Sequence, residues 1–257
     1  EVLRPYYVST VDSGNYVTYL VLLRQGLKEY ISKPLLGNDL LEGLLYTFRI
    51  YGDDSTFLES ILTDYDDKND FELFSFINVI DRLYQVRGKH FIRQKKFVDF
   101  IEAIKSDINK YFPSMMVIKN LEEFIEENSH DLLRKPLEEL LSIPSLDRMK
   151  EIYEEMDGFI SKELMDAKEG SGEQLRLITI KENIGKVKAA ISSLVETIET
   201  ITKDIDSIVS KTEFIYLYEK KRNLFSIGYD VEKESLTNSY YDLLATEART
   251  ASYWAIV

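Results

Sequence analysis

The sequence predicts a mainly α protein with long antiparallel helices and one small β-hairpin. Three observations carry this prediction. Apolar residues recur at three- and four-residue steps through most of the 257 residues. A sustained heptad pattern occupies 174–211, and the period changes to two over 214–231. With 44% hydrophobic residues, the chain can bury one large core or two smaller ones.

Composition excludes several classes of function. The absence of cysteine excludes disulfides and Cys-ligated metals. A formal net charge of -13 argues against nucleic acid or an anionic membrane surface as the main partner. No apolar run reaches the roughly 18 residues that span a bilayer. The two histidines, His90 and His130, are too few for a His-rich metal site, so we expect neither a metal nor another cofactor.

The first predicted helix covers 9–31. Ser9 and Asp12 fit the S-x-x-D capping box, in which each side chain satisfies a backbone donor at the helix start. Pro34 and Gly37 end the helix. Its apolar positions follow helical spacing: Val17, Leu20, Val21, Leu23 and Leu27.

Further helical patterns fill the middle of the chain. One covers 39–63 and is followed by a polar loop at 64–70, and a longer one covers 71–111 with a possible break at Gly88. Pro113 ends the longer pattern.

Three more helices are predicted before the heptad. The stretch 119–144 contains two short helices, with Pro136 at or near the first turn of the second, and His130 is typical of a helix start. A helix over 145–167 then ends at 168-KEGSG-172.

The heptad over 174–211 predicts a narrow apolar seam packed on another long helix. Its members are Ile180, Ile184, Val187, Ile191, Leu194, Ile198, Ile201, Ile205 and Ile208. The antiparallel partner is the 145–167 helix, the 71–111 helix, or both. A parallel homodimer is the alternative.

After the heptad, 214-FIYLY-218 and 224-LFSIGYDV-231 predict the two strands of a hairpin around the turn 219–223. A second S-x-x-D box, from Ser239 to Asp242, predicts the start of a last helix over 237–257.

The segments near the two ends of the sequence, 9-STVDSGN-15 and 224–249, are the richest in chemistry. In the first helix, Asp12, Asn15, Tyr16 and Tyr19 share one face, and in the last helix Asp242 and Arg249 share another. Aromatic rings beside carboxylates and amides suit a carbohydrate, which offers C–H faces for stacking and hydroxyls for hydrogen bonds. Purely structural roles remain open: helix capping by the aspartates, core packing by Tyr241, and a Glu247–Arg249 ion pair.

Two long stretches resemble one known family. The segment 7-YVSTVDSGNYVTYLVLLRQGLKEY-30 is similar to part of the (α/α)6-barrel domain of cyclic β-1,2-glucan synthases and their glucoamylase-like relatives, and 224–256 resembles a later part of the same domain. The resemblance implies three parts: a barrel-derived helix over 1–38, a helical insertion bundle or coiled-coil arm over 39–212, and a hairpin with a barrel-derived helix over 213–257. The first residue, Glu1, and the apolar last segment 250–257 fit a fragment of something longer.

The resemblance also implies an activity. Such synthases polymerise glucose and close the glucan into a ring by transglycosylation, and a further region of them is related to glycosyltransferase family 36. They act at the cytoplasmic face of the inner membrane, so this piece would be a soluble part whose partners are β-1,2-glucan and other domains of the parent protein. A retaining transglycosylase uses two carboxyl groups about 5 Å apart. We expect these to lie mainly beyond the chain, which would then be inactive alone.

The residues carried over from the resemblance would line or brace the sugar site. They are Asp12, Ser13, Asn15, Tyr229, Asp230, Tyr240, Tyr241, Asp242 and Arg249, with Glu247 as the one candidate for acid/base work. The alternative function is a helical scaffold or dimerisation module, and a stand-alone helical binding protein is a third. Apolar faces of the two edge helices would be exposed, which predicts homodimerisation through them.

Overall fold

Helices account for most of the chain in the computed structural model. The structure describes residue 4 and residues 6–37, 40, 42–44, 46–47, 73–90, 95–128, 131–242 and 246–256. The predicted loop at 64–70, His130 and much of the predicted 39–63 helix lie outside these residues.

Within this part of the chain, the helices come in the following order. They are α1 (Thr10–Ser32), α2 (Leu73–His90), α3 (Lys95–Tyr111), α4 (Met115–Asn128), α5 (Asp131–Leu141), α6 (Leu146–Asp166) and α7 (Gly172–Lys211), and the short α8 (Arg249–Trp254) comes last. The helices predicted over 9–31, 145–167 and 174–211 are therefore confirmed. None of the described helices is long and apolar enough to cross a membrane.

Two predictions in this region need correction. Helix α2 continues through Gly88 to His90, so Gly88 does not break it. Pro136 is the sixth residue of α5 and does not lie in its first turn. The helix tolerates this proline because Leu133, Leu137 and Leu140 are buried along one face, and their packing outweighs the lost backbone hydrogen bond.

The chain divides into two compact units. Residues Glu1–Glu29 and Thr197–Val257 form what we call the edge unit, and Tyr30–Glu196 form the central unit. The three-part division expected from the sequence stays a prediction.

The central unit has an extended apolar core. Helix α6 begins at the N-cap Ser145, whose hydroxyl accepts a hydrogen bond from the backbone N–H of Arg148. Its buried face includes Tyr153, which is fully buried and donates its hydroxyl to the backbone oxygen of Tyr111 at 3.1 Å. Burial raises the pKa of Tyr153 well above its usual value. This hydrogen bond ties α6 to the end of α3.

Helix α7 follows α6 after a tight turn. Gly170 has φ 73 there, and the hydroxyl of Ser171 accepts from the backbone N–H of Gln174 at 3.1 Å. Lys188 pairs with Asp157 of α6 at 3.3 Å. Two helices joined by so short a turn and linked by this ion pair lie antiparallel, so α6 is a neighbour of α7, which is one of the alternatives that the sequence leaves open.

The buried side of α7 departs from the predicted seam. Ile180, Ile184, Val187 and Ile191 are buried, but the next buried position is Val195 and not Leu194. Further along, Ile205 is 3% exposed, whereas Ile201 and Ile208 are 39% and 40% exposed. A straight helix has 3.6 residues per turn, so its buried side drifts away from a strict heptad.

The edge unit contains the β-strands of the described residues. Strands β1 (Tyr7–Ser9), β4 (Gly228–Asp230) and β5 (Ser235–Leu236) form an antiparallel sheet in the order β1-β4-β5. A separate hairpin pairs β2 (Tyr218–Glu219) with β3 (Leu224–Phe225). The predicted hairpin is thus present but two residues long on each side.

The remaining residues of the predicted hairpin have other structures. Ile215–Leu217 is a 3-10 turn, and residues 228–230 pair with the start of the chain. The core of this unit contains Val17, Phe214, Leu217 and Ala251.

The predicted last helix over 237–257 is wrong for its first residues, because 237–242 is not helical. The backbone N–H of Ile227 donates to the oxygen of Ser239 at 3.0 Å, and that of Tyr241 donates to the oxygen of Phe225 at 3.0 Å. This pairing holds the segment extended, so Ser239 and Asp242 form no capping box at a helix start. The described helix begins only at Arg249, after a 3-10 turn over Thr246–Ala248.

Candidate functional site

The first turn of α1 positions the first of the predicted site residues. The hydroxyl of Ser9 accepts from the backbone N–H of Asp12 at 3.2 Å, which confirms the Ser9 half of the predicted capping box. The Ser13 hydroxyl donates to the backbone oxygen of Ser9 at 2.6 Å. Asp12 is exposed, so its carboxylate faces solvent at the positive end of the helix.

Helix α8 lies directly against α1. A Cβ at Gly14 would overlap the backbone of Ala251, so the two helices touch where Gly14 has no side chain. The hydroxyl of Thr250 bonds the Asn15 Oδ1 at 3.2 Å, and the Trp254 Nε1–H donates to the Thr18 hydroxyl at 2.9 Å. Helices α1 and α8, which come from opposite ends of the sequence, therefore lie together. Asn15 takes part in holding them.

A cleft of about 800 Å³ opens beside this contact, within the edge unit. We call it the aromatic cleft, because rings from three parts of the unit line it: Phe214, Tyr218, Phe225, Tyr241 and Trp254. Its charged lining residues are Glu213, Asp242 and Arg249. A volume of this size accommodates a small molecule or a few sugar units.

Tyr241 lines the cleft and also lies near two carboxylates singled out in the sequence, those of Asp12 and Glu247. Burial is the main cause of the raised pKa of Tyr241. The electrostatic effects of Glu247, Tyr7 and Asp12, in decreasing order, raise that pKa further. The Tyr241 phenol, like any tyrosine, is protonated at neutral pH, and the raised pKa keeps it so to a higher pH. The charges of Asp12 and Glu247, which come from opposite ends of the sequence, both raise the pKa of this phenol.

Three predicted residues, Tyr241, Asp242 and Arg249, line the aromatic cleft. The others lie outside its lining. Glu247 is exposed on the 3-10 turn before α8. The ring of Tyr240 lies under the guanidinium of Arg222, 4.6 Å from the ring centroid.

Strand β4 holds the remaining two. The ring of Tyr229 packs on the apolar core of the edge unit. Asp230 accepts from the Lys233 ammonium at 2.7 Å and from the backbone N–H of Glu232 and of Lys233 at 3.1 and 3.0 Å. The hydrogen bond from Lys233 is the main cause of the lowered pKa of Asp230. Its carboxylate is therefore engaged in the β4–β5 turn.

The sequence did not single out the cleft walls Phe214, Tyr218, Phe225 and Trp254. The available signal was the density of aromatic residues around the two edge segments, but that density does not say which rings share a cavity. Among the described residues, no group of three carboxylate or imidazole side chains could hold a metal ion.

Fold and site together define a mainly helical protein whose edge unit carries an aromatic, charge-bearing cleft. No protein-family model matches the chain. Over 262 residues the chain is 24% identical to the cyclic beta-(1,2)-glucan synthase NdvB of Rhizobium meliloti (strain 1021). The match covers 100% of the chain but 8% of that protein. The chain is thus a distant relative of a cyclic β-glucan synthase and spans a small part of its length.

Proposed function

We propose that the chain belongs to a glycosyl-transfer protein related to cyclic β-1,2-glucan synthases, and that its aromatic cleft binds a β-1,2-linked glucan. The observation that carries this proposal is the cleft itself. It combines ring faces for stacking with Asp242, Arg249 and the Tyr241 hydroxyl as hydrogen-bonding groups. The distant relation to the glucan synthase supplies the linkage and the class of substrate.

The finer assignments are part of the same proposal. The edge unit would represent pieces of an (α/α)6-barrel, and the helices of the central unit would be the insertion between them. The chain would supply structure and part of the sugar-site lining within a longer enzyme at the cytoplasmic face of the inner membrane. Glu247 remains the candidate for acid/base work, and β-glucan and other domains of the longer protein would be the partners.

Calorimetric titration with linear β-1,2-gluco-oligosaccharides tests the proposal. We expect saturable binding that Tyr241→Phe weakens by about fivefold, because one hydrogen bond contributes about 1 kcal/mol. Tyr216→Phe is the matched control, since Tyr216 is 70% exposed and lies outside the cleft lining. Oligosaccharides of β-1,4-linked glucose serve as the ligand control. Equal heats for both linkages, or no heat with either, would refute a β-1,2-glucan site.

The helical scaffold remains the second candidate function, and the observation that favours it is the length of α7. This helix has 40 residues, well beyond the length usual in a globular domain. A pure scaffold would bind no glucan, so the same titration separates the two functions.

A further inference from the structure

Two polar side chains are fully buried among the described residues. Both lie where the start of α1 meets the segment that follows β3. They are Thr10 and Ser226, each 0% exposed. Thr10 is the first residue of α1, two positions before Asp12, and Ser226 follows β3. Buried hydroxyls are retained at a cost unless they are hydrogen-bonded, so their partners show what they hold together.

The Thr10 hydroxyl donates to the backbone oxygen of Ser226 at 2.6 Å, and the backbone N–H of Thr10 donates to the oxygen of Ile227 at 3.1 Å. The start of α1 is therefore joined at two adjacent points to a segment more than 200 residues away. These bonds fix where the first turn begins and hence where Asp12 lies.

The Ser226 hydroxyl contacts a second segment, at Thr237 and Ser239. Its Oγ lies 3.0 Å from the backbone oxygen of Thr237, 2.8 Å from the Thr237 Oγ1, and 3.3 Å from the backbone oxygen of Ser239. Ser226 also pairs with Tyr240 in an isolated antiparallel bridge. The hydroxyl thus holds the extended segment that delivers Tyr241 to the cleft.

We propose that Thr10 and Ser226 are positioning residues of the glucan site, which hold Asp12 and Tyr241 in one fixed arrangement. This inference rests on the proposed function for the identity of the ligand. The geometry it describes, in which Thr10 bonds the backbone oxygen of Ser226 and the Ser226 hydroxyl bonds the segment before Tyr241, does not depend on that identity.

The geometry has a spectroscopic consequence. The groups that face Tyr241 and raise its pKa, after burial, are Glu247, Tyr7 and Asp12. If the Thr10–Ser226 pair sets this arrangement, breaking the pair will let water reach the phenol and will separate it from Asp12. The pKa of Tyr241 then falls toward the usual tyrosine value.

The test uses the full chain and isosteric substitutions. Thr10→Val keeps the shape of the side chain and removes the donor to Ser226, and Thr10→Ser keeps the donor. Ser226→Ala removes the second hydroxyl. Thr179→Val is the control, because the Thr179 hydroxyl likewise donates to a backbone oxygen, that of Leu175 at 3.0 Å, but at an exposed position within α7.

Two readouts are compared in variants that retain the wild-type circular dichroism spectrum. Titration of ¹³Cζ-labelled tyrosine, assigned with Tyr241→Phe, reports the pKa of Tyr241, and calorimetry reports affinity for a β-1,2-gluco-oligosaccharide. We expect Thr10→Val and Ser226→Ala to lower the pKa of Tyr241 and to weaken binding by about fivefold or more. Thr10→Ser and Thr179→Val should keep both values.

The outcomes separate the two proposals. A folded Thr10→Val variant with an unchanged Tyr241 titration and unchanged affinity overturns the positioning role. Should wild-type protein bind no glucan while the Tyr241 titration still moves in Thr10→Val, the proposed function fails and the positioning role stands. If Ser226→Ala does not fold, Thr10→Val decides alone, since it leaves the packed volume unchanged.

Discussion

At the scale of single residues, the contact between α1 and α8 depends on the absence of a side chain at Gly14. An added Cβ there would overlap the backbone nitrogen and Cα of Ala251 and the Thr250 hydroxyl. Two of these three atoms are backbone and cannot turn away. The close approach also lets Asn15 and Thr18 reach Thr250 and Trp254, so the glycine and the aromatic cleft are structurally linked.

Gly14→Ala should therefore destabilise the edge unit. Alanine favours a helix by about 0.5–1 kcal/mol over glycine, but the overlap with α8 costs about 1–3 kcal/mol. Gly26→Ala in the same helix is the matched control, because nothing lies within 4 Å of its Cβ position. Thermal denaturation followed by circular dichroism should give opposite shifts in Tm for the two variants. A rise in both would show that α8 does not press on α1.

The candidate site illustrates what single residues reveal. Tyr241, Asp242 and Arg249 could be named because they are chemically rich and close in sequence. Phe214 and Trp254 could not be assigned to the same cleft, because they are 40 positions apart in the chain and only the packing of the edge unit's core brings them together. Asp230 is one of the residues carried over from the resemblance, but Lys233 engages its carboxylate in a turn.

At the scale of elements, predictions held where local signals and packing agree. For α6, Ser145 caps the start and apolar residues follow at helical spacing, so local sequence was sufficient. The segment after Ser239 has an equally good capping pattern, but its backbone pairs with Phe225 and Ile227. Such strand pairing depends on residues that are distant in sequence, so a window of a few residues cannot predict it. The three-residue strand β1 escaped prediction for the same reason.

Helix α7 offers a test of which periodicity the fold uses. The heptad treats Ile201 and Ile205 as equivalent, yet their exposed fractions are 39% and 3%. We expect Ile205→Ala to reduce the free energy of unfolding by about 2–5 kcal/mol and Ile201→Ala by at most about 1 kcal/mol. Urea denaturation measures both. Equal losses would favour the parallel homodimer, since that assembly would bury Ile201 in a second copy.

At the scale of the whole molecule, the two units differ in how completely they cover their apolar residues. The central unit buries a long series of aliphatic and aromatic side chains in one cluster. The edge unit has four buried hydrophobic residues in its cluster and leaves many others exposed. On α1 alone, Tyr19, Leu22 and Leu23 are 70%, 60% and 50% exposed. Exposed apolar side chains grouped on one element are typical of a surface that contacts another protein or domain.

This exposure predicts self-association of the chain, in line with the dimerisation expected from the sequence. Sedimentation velocity at two protein concentrations should show a larger mean sedimentation coefficient at the higher one. The double variant Leu22→Lys with Leu23→Lys should remove this dependence, because two ammonium groups on the same helix would have to be desolvated in the contact. Met165→Lys is the control: Met165 is 84% exposed but lies in the central unit. Concentration-independent sedimentation of the wild-type chain would mean that these side chains remain solvated, and a loss of association in Met165→Lys would place the contact on α6.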